Sequence, residues 1–128
     1  MAEKMVVVID GLSQLEYDRS KPLPHRQQLA LDRMDLKMDQ GIQLPAGRQN
    51  SPNSLQRAQF VALQLIQAVE DGNEPMAAAT CAYLAERIPE LQQVKAEHKP
   101  TGLHLDLVFD RPFMNEMTVE FFDPSGAR

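Results

Sequence analysis

The apolar positions of the chain change period along its length, and each change marks an element. Met5-Val6-Val7-Val8-Ile9 is a continuous, mostly β-branched run closed by Asp10-Gly11. It predicts a short buried strand over 5–9 and a turn. Leu12 to Pro24 reads as a loop or irregular wrap, because Pro22 and Pro24 oppose regular pairing. A first helix is predicted over 24–41, with Pro suiting its first turn and Gly41 its end. Leu31, Met34, Met38 and Ile42 form one narrow apolar stripe on it, which leaves the other side to solvent.

Residues 44–53, reading LPAGRQNSPN, lack an apolar period and collect Pro, Gly and Asn. They predict a mobile internal loop within a single domain, since neither flank is large enough to fold alone. A second helix is expected over 52–71, capped by Ser51 with Pro52 in its first turn and ended by Gly72. Its apolar residues, from Leu55 to Val69, cover most of the circumference, which makes it the central helix. Asn73 can cap a third helix over 74–88, whose alanines permit close helix approach and whose end is set by Pro89.

The last third alternates. Residues 92–98 and 103–110 flank Lys99-Pro100-Thr101-Gly102 and predict an antiparallel hairpin. A four-residue loop places Val94, Ala96 and His98 opposite Leu107, Leu105 and Leu103 on one face. The other face then pairs Lys95 with Asp106 and Glu97 with His104, so acids face bases across the strands. A three-residue bulged loop would set Lys95 against Leu107, which the face pattern disfavours. Residues 117–122 alternate as a fourth strand, followed by a frayed tail. The fold class expected is therefore α+β, with three helices packed on a small, mainly antiparallel sheet of 3–4 strands.

Composition narrows the function classes. With 128 residues, 43% hydrophobic and 24% charged, the chain is an ordinary globular length that argues against wholesale disorder. A net charge of −5 with scattered Lys and Arg argues against nucleic acid and against an anionic membrane as partners. The apolar run at Met5 is too short for a signal-peptide core or a membrane span. The single cysteine, Cys81, reads as a small buried apolar residue in an Ala-rich helix. These features together set the expectation of a cytoplasmic protein.

No catalytic, cofactor or metal residue is assigned. Serines lack a nucleophile-elbow context, and no glycine spacing matches a phosphate loop. Asp32, Asp35 and Asp39 share a face of the first helix. That face reads as solvated acid, with a hard-cation site as the alternative. His104, Asp106, Asp110 and Arg111 form the alternative site for a small enzyme or ligand-binding domain, with proton transfer as its chemistry. His98 should point to the hairpin's apolar face and His104 to the other, which separates the two histidines.

The feature that favours a role is the C-terminal apolar cluster of Phe113, Met114, Met117, Val119, Phe121 and Phe122. Neighbours on a strand point to opposite faces, so Phe121 and Phe122 cannot both enter one core. The expectation is a non-enzymatic interaction or regulatory module whose partner is another protein or a second copy. Phe113, Met114, Met117, Phe121 and Phe122 are its candidate interaction residues, and the homodimer would form through the C-terminal strand.

Overall fold

The computed structural model describes residues 3–113. Among them the chain is α+β, with strands and helices in the order β1 Lys4–Ile9, β2 Leu12–Asp18, α1 His25–Met38, β3 Ile42–Leu44, β4 Gly47–Gln49, α2 Ser54–Asp71, α3 Glu74–Arg87, β5 Gln93–Lys99 and β6 Gly102–Val108. The main sheet runs β2-β1-β5-β6, and β3 with β4 makes a separate two-stranded ribbon. Only the β1–β5 pairing is parallel; its neighbours on either side are antiparallel.

The hairpin of β5 and β6 holds the predicted register. Val94 faces Leu107, Ala96 faces Leu105, His98 faces Leu103, Lys95 faces Asp106 and Glu97 faces His104. Pairing extends to Lys99 and Gly102, so the connection itself narrows to Pro100 and Thr101. The segment after Ile9 is not the predicted loop. Asp10 and Gly11 both adopt positive φ, 51° and 83°. That is the backbone of a tight two-residue hairpin turn, which Asp-Gly favours, and it folds β2 back on β1. Pro22 and Pro24 fall beyond the strand and do not interrupt it. Within the predicted internal loop, Gly47–Gln49 returns against Ile42–Leu44 as β4.

The helices differ at their ends. The first stops at Met38, and Ile42 of the predicted stripe belongs to β3. The second is capped by Asn53, not Ser51: Asn53 accepts from the Gln56 amide, and the Gln56 side chain accepts from the Asn53 amide. Gly72, at φ 72°, ends it in the left-handed conformation. Asn73 caps α3 by accepting from the Met76 amide, as expected.

The core lies between the helices and one face of the sheet. Met5, Val7, Ile9, Val94 and Ala96 from the sheet join Leu65, Ile66, Leu84 and Leu31 from the helices in one buried cluster. Helix α2 is central, burying Ala58, Val61, Ala62, Leu65, Ile66 and Ala68. Tyr83 and Thr80 bring polar atoms inside. Thr80 Oγ1 donates back to its own helix, to the Met76 carbonyl at 2.7 Å. The Tyr83 hydroxyl reaches Asp35.

Arg19, just past β2, fastens the edge of this layer. Its Nε donates to the Ala85 carbonyl at 2.9 Å, and Nη2 to Ile88 at 3.0 Å and Leu91 at 2.7 Å. A guanidinium suits this place, because the end of a helix carries unpaired carbonyls and partial negative charge. Nearby, the Tyr17 hydroxyl donates to Glu86 at 2.7 Å.

Candidate functional site

The acidic face of α1 turns out to receive arginines from the other two helices. Asp35 Oδ1 accepts from Arg57 Nη1 at 3.0 Å and from the Tyr83 hydroxyl at 2.5 Å. Arg57 Nη2 pairs with Asp39, and Arg87 Nη2 pairs with Asp32 at 2.6 Å. Hydrogen bonding to Asp39 and, to a lesser degree, to Asp35 holds the Arg57 guanidinium above its usual range, against the opposing effect of burial. Burial, then Asp35, pushes the Tyr83 phenol up. The face is solvated at Asp32 and Asp39, which stay exposed, and half-buried at Asp35, and its acids also clamp α1 to α2 and α3. Asp39, which opposes the α1 dipole, is neutralised by Arg57. Among the described residues no group of three or more His, Cys, Asp or Glu is placed to hold a metal. The same arginines and Tyr83 line an open cavity of about 540 Å³ beside the start of α2, with Arg57 also donating from Nε to the Pro52 carbonyl.

His98 and His104 stand on opposite faces of the hairpin, as expected. His98 Nε2 meets Glu70 of α2 at 2.7 Å, and Nδ1 meets Asp10 at 2.7 Å. The Asp10 carboxylate also accepts the His98 backbone amide at 2.8 Å. Asp10, and after it Glu70, raises the imidazole above its ordinary value, and the bonds from His98 lower Asp10. With a carboxylate on each nitrogen, His98 bridges turn, strand and helix when both nitrogens carry a proton.

The alternative catalytic group does not converge. His104 and Asp106 project from one face of β6, where His104 Nε2 lies 3.1 Å from Thr101 Oγ1. Asp110 and Arg111 pair with each other beyond the strand at 2.9 Å. Of the predicted interaction residues, Phe113 is half-buried. Met114, Met117, Phe121 and Phe122 lie outside the described residues.

What the structure does assemble is an apolar edge. Leu103, Leu105 and Leu107 alternate along β6 on the helix side, because their partners His98, Ala96 and Val94 face the helices. Helix α2 contributes Leu55 and Leu63, and the β3–β4 ribbon contributes Leu44 and Pro45, around an open groove of about 480 Å³. Leu55 is 53% exposed, Leu103 38% and Phe109 42%. Such side chains are ordinary singly but form a marked surface when contiguous.

The backbone of β6 completes this site. The Asp10 amide donates to the Ala96 carbonyl, so the even-numbered residues of β5 spend their peptide groups on β1, whereas Gln92, just before the strand, gives its carbonyl to Val6 and its amide to Val108. The odd-numbered residues of β5 therefore bond β6 through Gly102, His104, Asp106 and Val108. Leu103, Leu105 and Leu107 are left to present their N–H and C=O groups outward. The two sheet edges differ here. On β2 the register slips between Val7 and Val8, which leaves Gln14 as a bulge, a device that blunts an edge. β6 pairs without a slip and carries neither Lys nor Pro. The sequence signal was the alternation over 103–108, which set the register but gave no hint that the strand is terminal among the described residues.

No family model matches the chain, and neither a curated protein nor a solved structure is detectably similar to it. No helix among the described residues is long and apolar enough to cross a membrane.

Proposed function

We propose that this chain is a protein-interaction module that binds an extended segment by strand addition at β6. The observation that carries the reading is the coincidence of an outward-facing row of peptide groups on β6 with the leucine-lined groove beneath it. Strand addition uses those two parts together: main-chain hydrogen bonds hold the segment, and alternate side chains enter apolar pockets. Charge fits the same reading, since His104 and Asp106 on the far side of the strand can select a segment carrying alternating charge.

The test is selection of extended peptides from a displayed random library, followed by competition with β6 variants. Peptides enriched for alternating apolar residues are expected. Leu103→Asp and Leu105→Pro should abolish their binding while the helical circular dichroism stays unchanged. Failure to enrich any peptide, or binders indifferent to both substitutions, would contradict the proposal.

A further inference from the structure

The charges along β6 identify the segment that fits it. We infer that the occupant of this edge is β6 of a second copy of the chain, paired antiparallel about a twofold axis at Leu105. The inference rests on the strand-addition reading above and names its partner.

In that register Leu105 meets its own symmetry mate, Leu103 meets Leu107 of the other copy, and His104 meets Asp106 of the other copy. The backbone parity agrees. Leu103, Leu105 and Leu107 carry the outward peptide groups, so the pairs they form are the hydrogen-bonded ones and every outward group finds a partner. His104 and Asp106 then fall at the non-hydrogen-bonded positions, where opposing side chains approach most closely.

Each polar row across the joined sheets reads Lys95, Asp106, His104, Glu97, the last two from the second copy. Asp106 is flanked by Lys95 and an imidazole, and that imidazole by two carboxylates. The axis stands perpendicular to the sheet, so both sets of helices lie on the same side and the leucines of both edges meet there. An isologous contact of this kind closes on itself and leaves no further β6 edge for growth. A shift of the axis to His104 or Asp106 would keep the outward peptide groups in phase but set His104 against His104 or Asp106 against Asp106, so the charge pattern selects one register.

The test uses the full chain. Sedimentation equilibrium should give a dimer for the wild type. His104→Asp sets a new carboxylate against Asp106 across the axis, and Asp106→Lys sets an ammonium against His104. Each variant alone should weaken the dimer by about tenfold or more. Mixed in equal amounts they should form a heterodimer, because the introduced carboxylate of one then meets the introduced ammonium of the other, and the remaining His104 meets the remaining Asp106. Circular dichroism establishes that each variant is folded. Should either fail to fold, Leu105→Pro serves instead, since the protomer makes no use of that outward N–H, and it should yield a folded monomer.

A monomeric wild type at all accessible concentrations would overturn the inference. So would a dimer that none of these substitutions weakens. Conversion from monomer to dimer on truncation before Met114 would show that the chain's own C-terminal segment holds the edge instead, which also overturns it. A monomer that still selects edge-binding peptides removes the second copy and leaves strand addition standing; a monomer that selects none removes both.

Discussion

Replacing Arg19 with alanine tests how the β2 edge is held to the rest of the fold. Three short bonds run from its guanidinium to the carbonyls of Ala85, Ile88 and Leu91, at 2.9, 3.0 and 2.7 Å. A fourth, to Lys4 at 3.4 Å, is long and adds little. Hydrogen bonds from a charged donor contribute about 1.5–3 kcal/mol each. Half-burial lets water replace part of each, and halving the sum gives a loss of about 2–4 kcal/mol. Against a total stability of roughly 5–15 kcal/mol for a domain this size, that is a large fraction. It corresponds to a fall in Tm of about 10 °C. Burial holds the Arg19 guanidinium below its usual range, yet it stays charged at neutral pH, so the bonds remain charge-assisted. Urea unfolding followed by circular dichroism measures the loss. Arg19→Lys should recover less than half, because one ammonium cannot reproduce a planar fork over three carbonyls. An Arg19→Ala variant within about 0.5 kcal/mol of wild type, the range of ordinary surface substitutions, would refute the reasoning.

Asp35→Ala should cost about 2–4 kcal/mol in the same assay, because it strands the Tyr83 hydroxyl in a residue only 4% exposed and removes one of the two carboxylates that hold Arg57; Asp35→Asn, which keeps an acceptor for Tyr83, should cost less. His98→Gln should change the pH dependence of Tm. The raised His98 contributes stability that is complete below its ordinary 6.5 and is lost as pH rises through the folded value, while the lowered Asp10 contributes above 3.8 and loses its share as pH falls. Wild type and variant should thus differ most between those two values and converge at alkaline pH; a constant difference would contradict the bridge. The Cys81 thiol, buried and pushed up to about 11 by desolvation, should react slowly with a disulfide reagent in the native state and rapidly in urea, and fast stoichiometric labelling of native protein would contradict its placement.

The parts of the fold that sequence reveals are those fixed by neighbours in the chain. The β5–β6 register follows from acid facing base in the pairs Lys95 with Asp106 and Glu97 with His104, together with the leucines opposite Val94 and Ala96. Gly72 and Asn73 mark the α2–α3 junction because each supplies a backbone conformation or a cap that its position demands. β2 was hidden because it is a largely exposed edge strand whose alternation is weak, and Pro22 and Pro24 drew the segment toward a loop. The Asp-Gly turn was the stronger local signal. The β3–β4 ribbon is three residues a side, too short for any period to register.

The site was legible only in pieces. His104 and Asp106 stand out by residue type, and their spacing invites proton transfer, yet their place on the strand that is terminal among the described residues comes from long-range pairing of β5 with β1. The ion pairs of the α1 acids were hidden because Arg57 and Arg87 are distant in sequence, and charge partners at that separation leave no local pattern. The exposure of Leu55 is likewise a tertiary fact: the apolar residues of α2 cover most of its circumference, and the groove beside β6 leaves this one uncovered.

Residue-resolved amide hydrogen exchange of the chain, measured as concentration is raised and again with a selected peptide, addresses the β6 edge most directly. Occupation of the edge predicts new protection at the outward amides of Leu103, Leu105 and Leu107, with His104 and Asp106 already protected by β5 and unchanged. Uniform protection along β6, or new protection confined to another strand or helix, would contradict the account.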